Sequence, residues 1–235
     1  MSTTHSVDGA AAPAGQVPAP ARRSSALWAA TGALAGIAGI VGMQASASLS
    51  ATMDEGVVGN AVAMMNRMAE QRTLILVEHV AMTGAALLLL VFAAGLCQRL
   101  AGSLEPSSLL PQVAAGGLIL TAAACLIGTG LTTELVFGLS EGDQLLPEFA
   151  AVGAHWMGTI PWLWAGAGVS AIAVAVASLR HGALPRWIGW TSAVLGAVTA
   201  LFGISPLQYM AGFTGPVWVL VCAVGLWFSG RSARA

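Results

Sequence analysis

Six long apolar stretches, almost free of charge, constrain this chain more than any other feature. They run near residues 26–44, 73–97, 113–133, 149–179, 187–204 and 212–228. A helix needs about 20 apolar residues (range about 17–25) to cross the hydrocarbon core of a bilayer. Four of the stretches meet that length comfortably and the last two are just long enough. Membrane-spanning strands alternate apolar and polar residues, whereas these runs are apolar throughout. The expected fold is therefore all-α: an integral membrane bundle of six transmembrane helices over residues 26–230, behind a disordered cytoplasmic tail, 1–25, rich in Ala, Pro, Ser, Thr and Gly.

Composition agrees with lipid as the main solvent. Charged residues make up 8% of the 235 and hydrophobic ones 57%, against about 25% charged in an average globular protein. The nine basic residues are all arginine and the formal net charge is −1. There is no basic surplus to neutralise phosphates, so nucleic acid is not an expected partner. The expected partners are the bilayer itself and a second membrane protein or further copies of this chain. Cys97, Cys125 and Cys222 all lie in apolar runs, too scattered for a disulfide framework or a thiolate metal site, and read as small buried hydrophobes. The abundance of Ala and Gly, with Arg as the only strong base, hints at a bacterium of high GC content.

Arginine placement sets the expected orientation. With the tail in the cytoplasm, Arg22, Arg23, Arg99, Arg180, Arg186, Arg231 and Arg234 fall on the inner side. Only Arg67 and Arg72 fall outside, among the acidic Asp54, Glu55, Glu70, Glu141, Asp143 and Glu148. That asymmetry predicts both termini in the cytoplasm of a cell whose plasma membrane holds the protein. Trp28, Trp187, Trp190 and Trp227 near inner helix ends, and Trp156 and Trp218 near outer ones, read as interfacial anchors. The first apolar run, between Arg22-Arg23 and Ala45-Ser46-Ala47, imitates a cleavable secretory signal. Its length, the tail before it, and Gly32, Gly36, Gly39 and Gly42 at close-packing spacing argue for a permanent span.

The long outer loop, 47–72, carries Val57, Ala61, Met64, Met65 and Met68 at helical spacing, which predicts a short amphipathic helix lying on the outer interface. Met64 and Met68 resemble a soft copper-binding pair, although such a stripe is more simply apolar surface.

Ionisable groups inside spans are costly and mark candidate sites. Here they are Glu78 and His79 in the second span, Glu134 ending the third and His155 opening the fourth. At about 1.5 Å per residue all four reach a similar depth near the outer hydrocarbon boundary. Thr121, Cys125, Thr129 and Thr132 form a polar stripe on the third span with Glu134 on nearly the opposite side, while His155, Thr159, Trp162, Gly166 and Ala173 share one face of the fourth, where Pro161 predicts a kink. Three readings arise. The simplest is an interfacial network of hydrogen bonds and ion pairs, with Arg67 or Arg72 beside Glu78. The others are a proton relay in a transporter, or ligands to a divalent metal or haem.

The inner loop around Leu184-Pro185-Arg186-Trp187-Ile188-Gly189-Trp190 has its own mechanism. Gly182 ends one helix, Pro185 begins the next, Arg186 meets headgroups, and Trp187 and Trp190 anchor the interface. This element resembles that of an uncharacterised family of bacterial multi-pass membrane proteins. The likeness reaches upstream to the Glu78-bearing span ending Gln98-Arg99-Leu100, about two thirds of the chain by our reading. The resemblance implies six helices and no catalytic roles. No zinc-helix, nucleophile-elbow or phosphate-loop motif is present, so no catalytic residue and no cofactor are expected. A non-enzymatic structural or accessory membrane protein is the expectation, with a small transporter or a metal- or haem-binding protein as the alternative.

Overall fold

A computed structural model of the chain describes residues 27–140 and 145–232, with the side chains of 230–232 left out. The tail 1–25, with Arg22 and Arg23, and also Glu141, Asp143 and Arg234, lie outside the described residues. The described residues form nine α-helices joined by turns and short irregular links: α1 (Leu27–Ala47), α2 (Ala61–Glu70), α3 (Arg72–Ala101), α4 (Leu110–Gly128), α5 (Thr132–Gly138), α6 (Pro147–Met157), α7 (Ala165–His181), α8 (Arg186–Ile204) and α9 (Ala211–Ser232), with short 3₁₀ turns between some of them. Six stretches are long and apolar enough to cross a membrane, at Leu27–Ala47, Arg72–Ala101, Leu110–Gly138, Pro147–His181, Arg186–Ile204 and Gln208–Ser229. The protein is a multi-pass membrane protein.

The spans close into a ring. α1 packs on α3, α3 on α4, α4 on α7, α7 on α8, α8 on α9, and α9 back on α1. On α1 the glycines face inward and several large residues face outward. Gly32, Gly36, Gly39 and Gly42 of α1 are all buried, while Leu34, Ile37 and Val41 of the same helix are exposed. In lipid, large side chains gain nothing by hiding from their surroundings, so helices associate through surfaces that let backbones approach. Gly36 shows why glycine is needed, since a Cβ there would lie 2.7 Å from the backbone nitrogen of Leu220 on α9. Gly117 and Gly166 bring α4 and α7 into similar backbone contact, clasped by Ser170 Oγ donating to the Ala114 carbonyl at 2.6 Å.

Two of the six spans are broken, at the same end of the bundle. The expected kink at Pro161 is a full interruption: α6 stops at Met157, a 3₁₀ turn spans Ile160–Trp162, and α7 starts at Ala165. Proline removes a backbone donor and pushes the residue before it out of helical conformation. α4 stops at Gly128 and α5 starts at Thr132. There the hydroxyls of Thr129 and Thr132 take backbone carbonyls three residues upstream, at 3.1 and 2.6 Å, and so compete with the helix. The breaks face each other, because a Cβ on Gly128 would meet the Pro161 ring nitrogen at 2.5 Å.

Beyond the breaks α5 and α6 leave the ring and build a second apolar cluster, outer with respect to the core of the ring. Leu49, Val57, Met64, Met68, Ile75, Leu135, Ala150 and Met157 form it, bringing together the 3₁₀ turn Ser50–Thr52, α2, α5 and α6. The expected amphipathic helix is therefore present as α2, capped by Asn60 accepting from the Ala63 N–H at 3.1 Å. Its apolar side turns into this cluster, not onto an open interface, and Met64 and Met68 are buried among hydrocarbon. Gly59, at φ +88°, supplies the left-handed residue that turns the chain into α2.

At the opposite end Gly182 closes α7 with φ +65°, its N–H bonded to the Ser178 carbonyl at 3.1 Å, and α8 follows from Pro185. Arg186, Trp187 and Trp190 are exposed there. Trp218, by contrast, is no interfacial anchor: it is buried and donates to Ser192 Oγ at 3.0 Å. The three cysteines are free, Cys125 and Cys222 buried and Cys97 half-buried.

Candidate functional site

The two apolar clusters are separated by a polar layer, and Glu78 sits in it. On one face of α3, Ile75 belongs to the outer cluster and Met82 to the inner core, with Glu78 between them. The same holds on α1, where Met43 is in the inner core, Leu49 just past the helix end is in the outer cluster, and Ser46 lies between. The two helices run antiparallel. Gly32 packs against Phe92 and Gly42 against Met82, and continuing this register sets Ser46 opposite Glu78. The layer is about 9 Å along α3 from Arg72, at 1.5 Å per residue.

Ser46 ties the broken fourth span to α1. Its hydroxyl donates to the Met157 carbonyl, one of the groups left open where α6 stops, at 3.0 Å. It accepts from Trp162 Nε1, also at 3.0 Å. Trp156 Nε1 donates to the Ile127 carbonyl at 3.2 Å and Trp164 Nε1 to the Pro161 carbonyl at 3.1 Å. Two indoles and one hydroxyl, itself held by a third indole, thus satisfy three backbone carbonyls beside the breaks, and such pairing is what allows irregular chain within a bilayer.

Glu78 has no such provision. Its residue is 0% exposed, and neither carboxyl oxygen has a hydrogen-bond partner among the described residues. Arg67, a partner expected from the sequence, is engaged with Asp54 at 3.3 Å and Glu70 at 3.7 Å. Of the helices packed on α3, α1 and α4 carry no charged side chain, and the only acid of α5, Glu134, is exposed. An isolated charge transferred into an apolar interior costs far more than a polar group, so a buried carboxyl without a cationic partner calls for a proton or another small cation.

The other three residues singled out in the sequence go elsewhere. His79 is half-buried and joins its Nδ1 to Thr132 Oγ1 at 2.5 Å. Thr132 spends its one hydroxyl proton on the Thr129 carbonyl, so the imidazole is the donor in that contact, leaving Nε2 with its lone pair when the ring is neutral. This joins α3 to the start of α5, and Thr83 Oγ1 reaches Thr129 Oγ1 at 3.4 Å one turn further in. The threonine stripe is buried as expected, and Glu134 points away from it. His155 and Thr159 are exposed whereas Trp162, Gly166 and Ala173 are buried, because the break at Pro161 resets the helix phase between them. Among the described residues no three His, Cys, Asp or Glu side chains come together as a metal site. What the sequence reading missed was Ser46 and Trp162. Ser46, within an Ala-Ser-Ala-Ser run at the end of the first span, was the available signal.

A small cavity of about 10 Å³ adjoins Ser46 on its outer side, lined also by Leu49, Ala51, Thr52, Met68, Ala154 and Gly158. It is about the size needed to hold one water molecule. The chain matches no protein-family model, no curated protein and no solved structure.

Proposed function

We propose that this chain is a non-enzymatic, proton-handling protein of a bacterial plasma membrane, with Glu78 as its proton-binding group and both termini in the cytoplasm. The observation that carries the reading is the buried, unpartnered carboxyl of Glu78 inside a span. Natural proteins keep few such groups, and inside membranes they mark ion and proton paths. Two interrupted spans at the same level support it, since transporters commonly bring broken helices to their ion sites. The cavity beside Ser46 is scaled to a single water rather than to an organic solute, and the lone carboxyl of Glu78 has no further ligand group among the described residues that would hold a metal cation, which favours the proton. The orientation rests on the arginine asymmetry, with Arg99, Arg180 and Arg186 at the end opposite the α2 cap.

The test is proton flux. Purified protein is reconstituted into liposomes enclosing a pH-sensitive dye, and a potassium diffusion potential drives protons inward. Protein-containing vesicles are expected to acidify faster than empty ones, and Glu78→Gln to return the rate to that of empty vesicles. Equal rates in wild type and Glu78→Gln, or no flux above lipid alone, refute the proposal. A structural or accessory role is the second reading, favoured by the backbone-to-backbone glycine contacts that lock the ring, and it is what remains if flux is absent while Gly36 and Gly117 prove essential to folding.

A further inference from the structure

We propose that Ser46 and one water molecule in the cavity beside it form the route by which Glu78 exchanges its proton with the aqueous phase on the α2 side. The inference deepens the proton-handling reading and rests on it.

Three observations converge on this route. The register of α1 against α3 places Ser46 opposite Glu78. The cavity touches Ser46 on the far side from the inner core, and its rim residues Thr52 and Gly158 are partly exposed. The hydrogen bonds of Ser46 then fix the direction of the link. Its proton goes to the Met157 carbonyl and one lone pair takes the Trp162 indole, so the remaining lone pair can only accept. The two side chains are not hydrogen-bonded at rest; a protonated Glu78 turned toward Ser46 supplies the matching donor at the moment of transfer, while a carboxylate would face another acceptor.

The transfer is a concerted hop. Ser46 rotates its O–H from the Met157 carbonyl to the water. The Glu78 O–H bond breaks as its proton bonds to Ser46 Oγ, and the Ser46 O–H bond breaks as its own proton bonds to the water. Glu78 is left as carboxylate, the water as hydronium and Ser46 neutral, and the excess proton leaves past Thr52 and Gly158. Return follows the same steps in reverse. The charged groups on the elements around this route do not cap it: Asp54 is held by Arg67, Glu70 faces out on α2, and Glu148 and His155 are exposed on α6.

Infrared spectroscopy of the reconstituted full chain tests the route. After transfer to D₂O, the isotope shift of the protonated carboxyl band that disappears in Glu78→Gln is followed in time. Ser46→Ala is expected to slow that exchange about tenfold or more, the effect of roughly 1.4 kcal/mol added to the barrier. Because Ser46→Ala also strips bonds from Met157 and Trp162, Ala51→Val is the companion variant: it fills the cavity with Ser46 and Glu78 intact, and is expected to slow exchange as well. Wild-type exchange rates in Ala51→Val, or in a folded Ser46→Ala, overturn the route while the carboxyl band upholds Glu78 as the proton site. Absence of any Glu78 carboxyl band from the wild type overturns both.

Discussion

Replacing Glu78 with methionine is expected to make the protein more stable, although it removes a polar side chain that a surface network would need. Methionine has nearly the length of glutamate and no group requiring a hydrogen bond. In the native chain both carboxyl oxygens lie in full burial without a partner. Leaving such a group unsatisfied costs about 1–3 kcal/mol by mutational experience. A volume-conserving exchange in a packed site loses less than about 1.5 kcal/mol. The difference is a net gain centred on about 1 kcal/mol, which for a chain of this size raises the thermal midpoint by about 2–4 °C. The assay is thermal unfolding of the purified protein in one detergent at one protein concentration, with Glu78→Gln alongside to separate charge from hydrogen bonding. A lower midpoint for Glu78→Met would show that the carboxyl contributes bonds to the fold and would undo the argument for a functional proton site. A higher midpoint together with lost proton flux is the expected pair, stability having been given up for function.

Neighbouring glycines on α4 offer a sharper contrast. Gly117→Ala is expected to destabilise by about 2 kcal/mol or more, because its methyl would press on the Gly166 carbonyl and Ser170, whereas Gly116→Ala meets nothing within 4 Å and should be neutral or stabilising by up to about 1 kcal/mol; unfolding midpoints of the two variants decide. Trp162→Phe keeps most of the ring packing but deletes the donor to Ser46, a loss of about 0.5–1.5 kcal/mol in the same assay. Arg67→Ala breaks half-exposed ion pairs with Asp54 and Glu70 and is expected to change stability by no more than about 1 kcal/mol, with less effect at high salt. A reporter fused after Ala235 is expected to be active only on the cytoplasmic side of intact cells, and periplasmic activity there would reverse the orientation.

The spans were legible in the sequence because an apolar run of bilayer length has few other solutions. Their faces were partly legible. The stripe of Thr121, Cys125, Thr129 and Thr132, with Glu134 away from it, was drawn from helical spacing, and it persists in the structure because the short break between α4 and α5 leaves Thr132 buried and Glu134 exposed. The fourth span was different. Pro161 announced a disturbance without its size, and once the helix stops and restarts, phase arguments that carry His155 onto the face of Gly166 no longer apply. The isolation of Glu78 was hidden for another reason. Arg67 and Arg72 are near it in sequence, but Arg67 is drawn to Asp54 by the fold of the loop after α1, and Ser46 comes opposite Glu78 only through the register of two helices distant in sequence.

The ring described above also dictates an order of events during synthesis. Because α1 is held between α3 and α9, the earliest of the described spans finds its second neighbour only when the last one has been made. Gly32 and Gly42 can close on α3 early, but until α9 is made Gly36 lacks its Leu220 contact. Nascent chains stalled before α9 therefore leave one flank of α1 uncovered.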